Sequence, residues 1–282
     1  APFVADEVAK IALELGIDDI RTGGYQVYTT IDSKLQAAAE KSMNKAYDMA
    51  LERSLTEKQK KDGVTVETLR KESKLNGALV SVESATGDVV AFVGSIDYDK
   101  SQFNRATQGQ RQVGSAFKPF IYQVALDRGY TPSSQVMDIA QTYTYMENGK
   151  EVVWQPKNYK DDFKGAVSLR DALVHSRNLA TLSLVNEIGL NNIVEEVGKF
   201  GVKNIQKNLS VALGAVNMSP MQLAQNFVSF ANGGVWVKTN LINRIEKRSK
   251  ILYTKQIKSK IVTDPLKAYA MTTMLKSVVD YG

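Results

Sequence analysis

Between Gly114 and Ala231 this 282-residue chain carries a series of apolar helical segments, most of them closed by glycine, and strand-like segments lie on both sides of that block. That order restricts the fold more than any single residue does. Strands, then helices, then strands read as an α+β protein and not as alternating βαβ units.

Upstream of the block, Val4, Val8, Ile11, Ala12 and Leu15 recur at helical spacing and stop at Gly16. Thr22-Gly23-Gly24 turns into an alternating, β-prone run over 25–31. Asp32 is placed to cap a long helix reaching about Arg53, with Leu35, Ala39, Met43 and Ala46 on one stripe. Charges dominate 54–74, which reads as a solvated surface insertion. Ala78-Leu79-Val80-Ser81-Val82 and Val89-Val90-Ala91-Phe92-Val93 then flank the turn Ala85-Thr86-Gly87-Asp88 as a hairpin.

Inside the block, 130–167 reads as irregular, with Tyr143, Tyr145, Trp154, Tyr159 and Phe163 as aromatic plugs that hold a long loop down. Ser168-Leu169-Arg170-Asp171 has the pattern of a cap opening a short helix to His175. Apolar helices follow over 179–188 and 191–200, closed by Gly189 and Gly201, and Ser219-Pro220 opens another toward Ala231. Strand-like segments return at 235–238, 242–245 and 251–257. Asp264-Pro265 starts a last helix with Leu266, Tyr269, Ala270, Met274 and Val278 along it.

Composition narrows the chemistry. The absence of cysteine removes thiol nucleophiles, disulfides and cysteine metal sites. His175 is the only histidine, and no G-x-S-x-G elbow presents a serine to it, so a serine enzyme built on this chain takes its base from lysine. The net charge of +6 is spread along the chain and argues little for nucleic acid. No apolar run is long enough for a membrane span, and the N-terminal Ala-Pro-Phe-Val has no signal-peptide pattern. The chain is therefore cytosolic, or any anchor lies upstream of residue 1.

Gly114-Ser115-Ala116-Phe117-Lys118-Pro119-Phe120 puts a hydroxyl and an amine three residues apart at the head of an apolar helix running to Gly129. On a helix beginning near Ser115, i and i+3 share a face, so Lys118 reaches the Ser115 hydroxyl locally. Burial that keeps the amine neutral turns such a serine into a nucleophile. Spacing alone also describes a capping serine with a solvated lysine. Ser42-Met43-Asn44-Lys45 repeats the spacing in mid-helix, where no free helix N-terminus adjoins Ser42, and reads as a decoy. Ser176-Arg177-Asn178, at a helix–helix junction, places a hydroxyl and an amide where both can project into a cleft. Either residue serves equally as a cap for the next helix. In the functional case Ser176 relays a proton between Lys118 and an amine, and Asn178 holds the lysine and a substrate carbonyl.

These segments resemble the transpeptidase domain of class A, bifunctional penicillin-binding proteins, whose S-x-x-K and second Ser/Asn motifs they match. The resemblance spans nearly the whole chain. It extends over the run from Gly24 to Asp32, Ala85-Thr86-Gly87-Asp88-Val89-Val90-Ala91, Pro156-Lys157-Asn158-Tyr159, Leu213-Gly214 and Ala231-Asn232-Gly233-Gly234-Val235. It implies a β-lactamase/transpeptidase-like α+β fold, a mainly antiparallel sheet packed with helices plus an all-helical subdomain, with 1–76 as a linker or pre-core segment and 77–282 as the transpeptidase domain. It also implies acyl transfer on peptidoglycan stem peptides ending in D-Ala-D-Ala, with Ser115 as nucleophile, Lys118 as base, and Ser176 and Asn178 as orienters. β-Lactams would acylate the same serine. No cofactor, metal or nucleic acid is implied. The location implied is the extracytoplasmic face of the bacterial cytoplasmic membrane, through an anchor and a glycosyltransferase partner upstream.

One departure stands out. The family's Lys-Thr/Ser-Gly motif is absent, and Lys238-Thr239-Asn240 is a decoy that follows the Asn-Gly-Gly turn. The expectation is a chain that stops before that motif and its C-terminal strands, inactive or nearly so by itself, and open to a C-terminal complementing segment. An oxyanion donor from the missing strand would contribute a few kcal/mol. A D,D-carboxypeptidase, a serine β-lactamase and an inactive wall-binding scaffold remain as alternatives. The segment 1–52, which a compact β-lactamase would not need, favours the transpeptidase.

Overall fold

In the computed structural model, which describes residues 1–147 and 150–282, the chain divides into two compact units drawn from non-contiguous segments. Residues 1–110, 219–225 and 237–258 make the first, and 111–218, 226–236 and 259–282 the second.

The first unit is built on antiparallel strands. Ile242–Lys247 is the middle strand of three, with Tyr25–Thr29 on one side and Lys250–Thr254 on the other. The hairpin Leu79–Val82 and Val89–Val93 forms where its alternation and turn predict, with Gly87 at a φ of +74° that suits glycine. Helix Pro2–Glu14 places Phe3, Val4 and Val8 in a core with Val89, Phe92, Leu241, Ile242 and Ile245. Each side chain of this size, once buried, contributes roughly 1.5–3 kcal/mol. Leu15, expected on that apolar stripe, lies past the helix end and is exposed.

Asp32 caps helix Ser33–Ser54 as expected, accepting from Lys34 N and Leu35 N. The stripe is turned from the predicted one, because Leu35 and Ala46 are exposed while Gln36, Ala39, Tyr47 and Leu51 are buried. Gln36 decides the rotation. Its amide donates to Phe92 O at 2.9 Å and accepts from Phe92 N at 2.8 Å, tying the helix to the hairpin strand as a backbone partner would. The charged insertion forms two short capped helices, Glu57–Lys61 and Val66–Glu72, with no buried side chain.

In the second unit the helix Lys118–Asp127 is buried at every position from Lys118 to Leu126. Helices Leu169–Val174, Asn178–Ile188, Leu190–Lys199 and Pro265–Tyr281 pack around it. Phe120 sits among Phe117, Phe200, Phe227 and Phe230 at centroid separations of 5.2–5.8 Å. Such pairs add to plain burial. Ser168 caps the short helix as predicted, accepting from Asp171 N. Asp264 caps the last helix, whose buried face is Ala268, Met271 and Met274 while Leu266 and Tyr269 turn outward.

The stretch read as irregular is not. Gln135–Asp138 pairs with Gly165–Ser168, and Tyr143–Glu147 with Lys150–Trp154, both antiparallel. Four short strands with few apolar positions leave little periodic signal, which is why the pairing escaped the sequence. Positions 148 and 149 of that stretch, and the Tyr145 side chain, lie outside the described residues. Of the aromatics expected as plugs, Tyr143 and Trp154 are half-buried and their rings meet each other at 5.5 Å. Tyr159 and Phe163 are not plugs: they are 100% and 63% exposed. This unit is therefore helical at its centre and edged by short strand pairs. Among the described residues no helix is long and apolar enough to cross a membrane.

Candidate active site

The site forms within the second unit, where a 3₁₀ turn becomes an α-helix. Gly114–Phe117 is the turn, and the α-helix begins at Lys118, not at Ser115, with Pro119 in its first turn. In a 3₁₀ turn residues i and i+3 eclipse, so the tighter geometry keeps Ser115 and Lys118 in line. The Lys118 N–H donates to Ser115 O, closing the turn. Ser115 is exposed, whereas Lys118 is only 1% exposed. The turn thus presents the hydroxyl to solvent and sends the amine inward.

Gly114 leads in at a φ of +55°, and its N–H donates to Gly214 O at 3.1 Å. A Cβ on Gly214 would fall 1.8 Å from Gly114 O. Leu213-Gly214, noted in the sequence only through the family resemblance, therefore has a physical task. It lets one backbone lie directly against another beside Ser115.

The Lys118 ammonium donates three hydrogen bonds: 2.6 Å to Ser176 O, 3.1 Å to Ser176 Oγ and 2.8 Å to Asn178 Oδ1. Those use its whole donor capacity. Burial lowers its pKa to about 8, against an opposing pull from Asp138. Ser176 occupies the turn between helices Leu169–Val174 and Asn178–Ile188 at a φ of +50°, a conformation uncommon for a residue with a Cβ. Such outliers gather where function over-determines the backbone. The structure thus brings together Lys118, Ser176 and Asn178 through their side chains and places Ser115 one turn from Lys118.

Around them is a polar scaffold. Asp138 is fully buried and accepts from Arg177 Nε at 2.8 Å, Arg177 Nη2, Asn158 Nδ2 at 2.8 Å and Lys164 N at 3.0 Å. Arg177 also donates to Asp162 Oδ1 at 2.8 Å. Burial works against the Arg177 charge, but its bonds to Asp138 and Asp162 outweigh that and raise its pKa. Asn158 Oδ1 accepts from Asn178 N and Leu179 N, the first free amides of the Asn178 helix. Sequence reasoning gave Asp138, Asp162 and the Arg177 side chain no role. Asn158 lay in a segment singled out only by resemblance.

The decoys are structural. Ser42 and Lys45 are exposed on mid-helix. Thr239 bonds Gln225 Oε1 through both its N–H and its hydroxyl, and Asn240 N donates to Gly87 O. Among the described residues no group of three or more His, Cys, Asp or Glu side chains is placed to hold a metal ion.

Residues 77–282 match the family model described as "Penicillin binding protein transpeptidase domain". Penicillin-binding protein 1A of Neisseria flavescens is 37% identical over 224 residues, 76% of this chain and 28% of the relative, so the chain spans little more than a quarter of that protein's length. In fold, the chain is similar over 100% of its length to the crystal structure of penicillin-binding protein 1A from Haemophilus influenzae. That match has a TM-score of 0.83 at 24% identity and covers 58% of the other chain. The PonA1 protein of Mycobacterium tuberculosis, solved in complex with penicillin V, matches 99% of this chain at a TM-score of 0.75 and 21% identity, with 71% of its own chain covered.

Proposed function

The chain belongs to the penicillin-binding protein transpeptidase family, and from that premise we propose that it is a serine-type D,D-transpeptidase acting on peptidoglycan stem peptides through an acyl-enzyme on Ser115. Residues 77–282 are then the catalytic domain, and 1–76 lead into it. The observation that carries the reading is Lys118, a buried amine of lowered pKa, one turn from an exposed serine and bonded to Ser176 and Asn178.

With a pKa of about 8, roughly one Lys118 in ten is neutral at pH 7, against about three in ten thousand for an exposed lysine. Neutral Lys118 keeps two N–H donors and gains a lone pair. The two shorter contacts, to Ser176 O and Asn178 Oδ1, take the donors, and the lone pair is free for a hydroxyl proton. Ser115 Oγ attacks the carbonyl of the penultimate D-Ala as its proton passes to Lys118, and an Oγ–C bond forms. The C–N bond to the terminal D-Ala breaks, and the departing amine takes a proton from Lys118, directly or through the Ser176 hydroxyl. An amine of a neighbouring stem attacks the ester carbonyl, a C–N bond forms as the Oγ–C bond breaks, the amine's proton passes through Lys118 to Ser115 Oγ, and the cross-linked peptide is released. The Nδ2 of Asn178 donates one hydrogen to Lys157 O at 2.9 Å and keeps the other for a substrate carbonyl.

A β-lactam carbonyl would acylate Ser115 by the same first step. Peptidoglycan lies outside the cytoplasmic membrane, so the proposed substrate puts the reaction on that membrane's outer face. Intact-mass spectrometry after incubation with excess benzylpenicillin tests the assignment. Because the chain contains no Lys-Thr/Ser-Gly string, acylation is expected to be slow and the incubation runs to hours. The expected result is a single adduct that maps to Ser115 and is absent from Ser115→Ala. An adduct retained by Ser115→Ala would overturn the nucleophile.

A further inference from the structure

The amides that open the Asn178 helix are not capped locally. Its N-cap residue is Arg177, which makes no side-chain cap bond and spends its guanidinium on Asp138 and Asp162. The cap arrives from twenty residues upstream. Asn158 Oδ1 accepts from Asn178 N at 2.7 Å and from Leu179 N at 3.2 Å, while its Nδ2 donates to Asp138 Oδ1 at 2.8 Å and to Asp162 O at 2.7 Å. Asn158 is buried, and these four bonds use all of its donors and acceptors. An N-terminus can be capped by any local Ser, Thr, Asp or Asn, so reaching back to 158 asks for a reason.

The neighbouring residue supplies one. Lys157 O accepts from Asn178 Nδ2 at 2.9 Å. A carbonyl can only accept, so this contact decides which way the Asn178 amide faces and leaves Oδ1 toward the Lys118 ammonium, 2.8 Å away. Residues 157 and 158 therefore hold Asn178 by its backbone and by its side chain at once. Asn158 itself is anchored to Asp138, the buried carboxylate that also bonds Arg177.

We propose that Asn158 is a positioning residue for the transferase site: it touches no reacting atom, and it sets Asn178, and through Asn178 the Lys118 amine, in working register. The inference rests on the reading of Lys118 as the base. Its geometric content, that Asn178 is held on Lys118 from residue 158, can be tested without turnover.

The test follows Lys118 by carbon NMR in the chain labelled at lysine Cε, the resonance being assigned by its loss in Lys118→Met. Asn178→Ala removes an acceptor from the charged amine while burial persists, so the titration midpoint falls, by about half a pH unit or more. Asn158→Ala is expected to lower it by the same amount, and the double variant no further, because one acts through the other. A general loss of structure would instead expose the amine and raise the midpoint. An Asn158→Ala midpoint equal to wild type, an Asn178→Ala midpoint that does not move, or additive shifts each overturn the proposal. Should Asn158→Ala fail to fold, Asn158→Ser, whose hydroxyl falls one bond short of the helix amides, is expected to shift the midpoint in the same direction. Benzylpenicillin acylation of the same variants gives a parallel readout, with a fall of roughly 10- to 100-fold for Asn158→Ala. A wild-type chain that never acylates counts against the transferase reading alone, and the titration still decides the positioning.

Discussion

The shortest hydrogen bond of the Lys118 ammonium, 2.6 Å, goes to the backbone carbonyl of Ser176, a residue held at a φ of +50°. The amine is thus tied to a strained turn and not only to side chains. That carbonyl points at Lys118 because Ser176 leaves the helical region between two helices whose ends it joins.

Separating the strain from the hydroxyl is the first expectation. Ser176→Ala and Ser176→Gly both lose Oγ, but only glycine takes a φ of +50° without Cβ conflict. Ser176→Gly should be more stable than Ser176→Ala by about 1 kcal/mol in urea unfolding. Acylation should fall in both. Equal stabilities would mean that the turn relaxes at no cost.

Lys118 makes folding depend on pH. Its pKa is about 8 folded and 10.5 unfolded, so between those values the unfolded chain binds the extra proton and stability rises with pH. Below about 8 both states are charged and the burial cost is carried in full. Relative to Lys118→Met, the wild-type chain should gain about 2 kcal/mol between pH 7 and pH 9.5. Chemical denaturation of both proteins at the two pH values measures this, and parallel stabilities would contradict a buried, depressed amine.

The same ionisation governs the proposed chemistry. Acylation by benzylpenicillin should climb roughly tenfold per pH unit below neutrality and level off near pH 8, the region where Lys118 loses its proton. Stopped incubations read by intact mass across pH 6–9 would show it. A flat profile would argue against lysine as the base.

Asp138 is fully buried and holds Arg177, Asn158 and Lys164 N together. Asp138→Ala leaves the Arg177 charge with Asp162 alone and should cost about 3–5 kcal/mol. Adding Arg177→Leu should recover at least about 1 kcal/mol of that, since the stranded charge is gone. Denaturant titrations of the two single variants and the double close this cycle, and simple additivity would exclude the coupling.

Gly214 lies against the backbone of Gly114. Alanine there meets Gly114 O at 1.8 Å and takes a φ of +76°, so Gly214→Ala should destabilise by roughly 2–4 kcal/mol. Because Gly114 precedes Ser115, the expected signature in protein that still folds is slowed acylation at an unchanged Lys118 titration midpoint. Unimpaired stability would show that the two backbones simply part.

Much of the scaffold could be read directly. The caps at Asp32, Ser168 and Asp264, the hairpin around Gly87 and the helices closed by Gly189 and Gly201 are local chemistry written in a few adjacent residues. The spacing of Ser115 and Lys118 belongs with them, because residues three apart share a face on either kind of helix. What went unread has partners far away. Gln36 took the buried place expected for Leu35 through two bonds to a strand fifty-six residues later. The strand pairs within 130–167 draw on partners such as Val136 and Val167, whose short segments show no period of their own.

What the sequence by itself determined, then, is the local order of a serine and a lysine at the head of an apolar helix, and the segments able to carry them. Only the tertiary structure decided that the amine is buried, which carbonyls and hydroxyls surround it, and that Asp138 and Asn158 hold its partners. The physical reason is one of range. Capping, turn and i, i+3 geometry are settled within a turn of chain, whereas a pKa is set by the solvent that packing removes, and Lys118 loses that solvent to residues about sixty positions away.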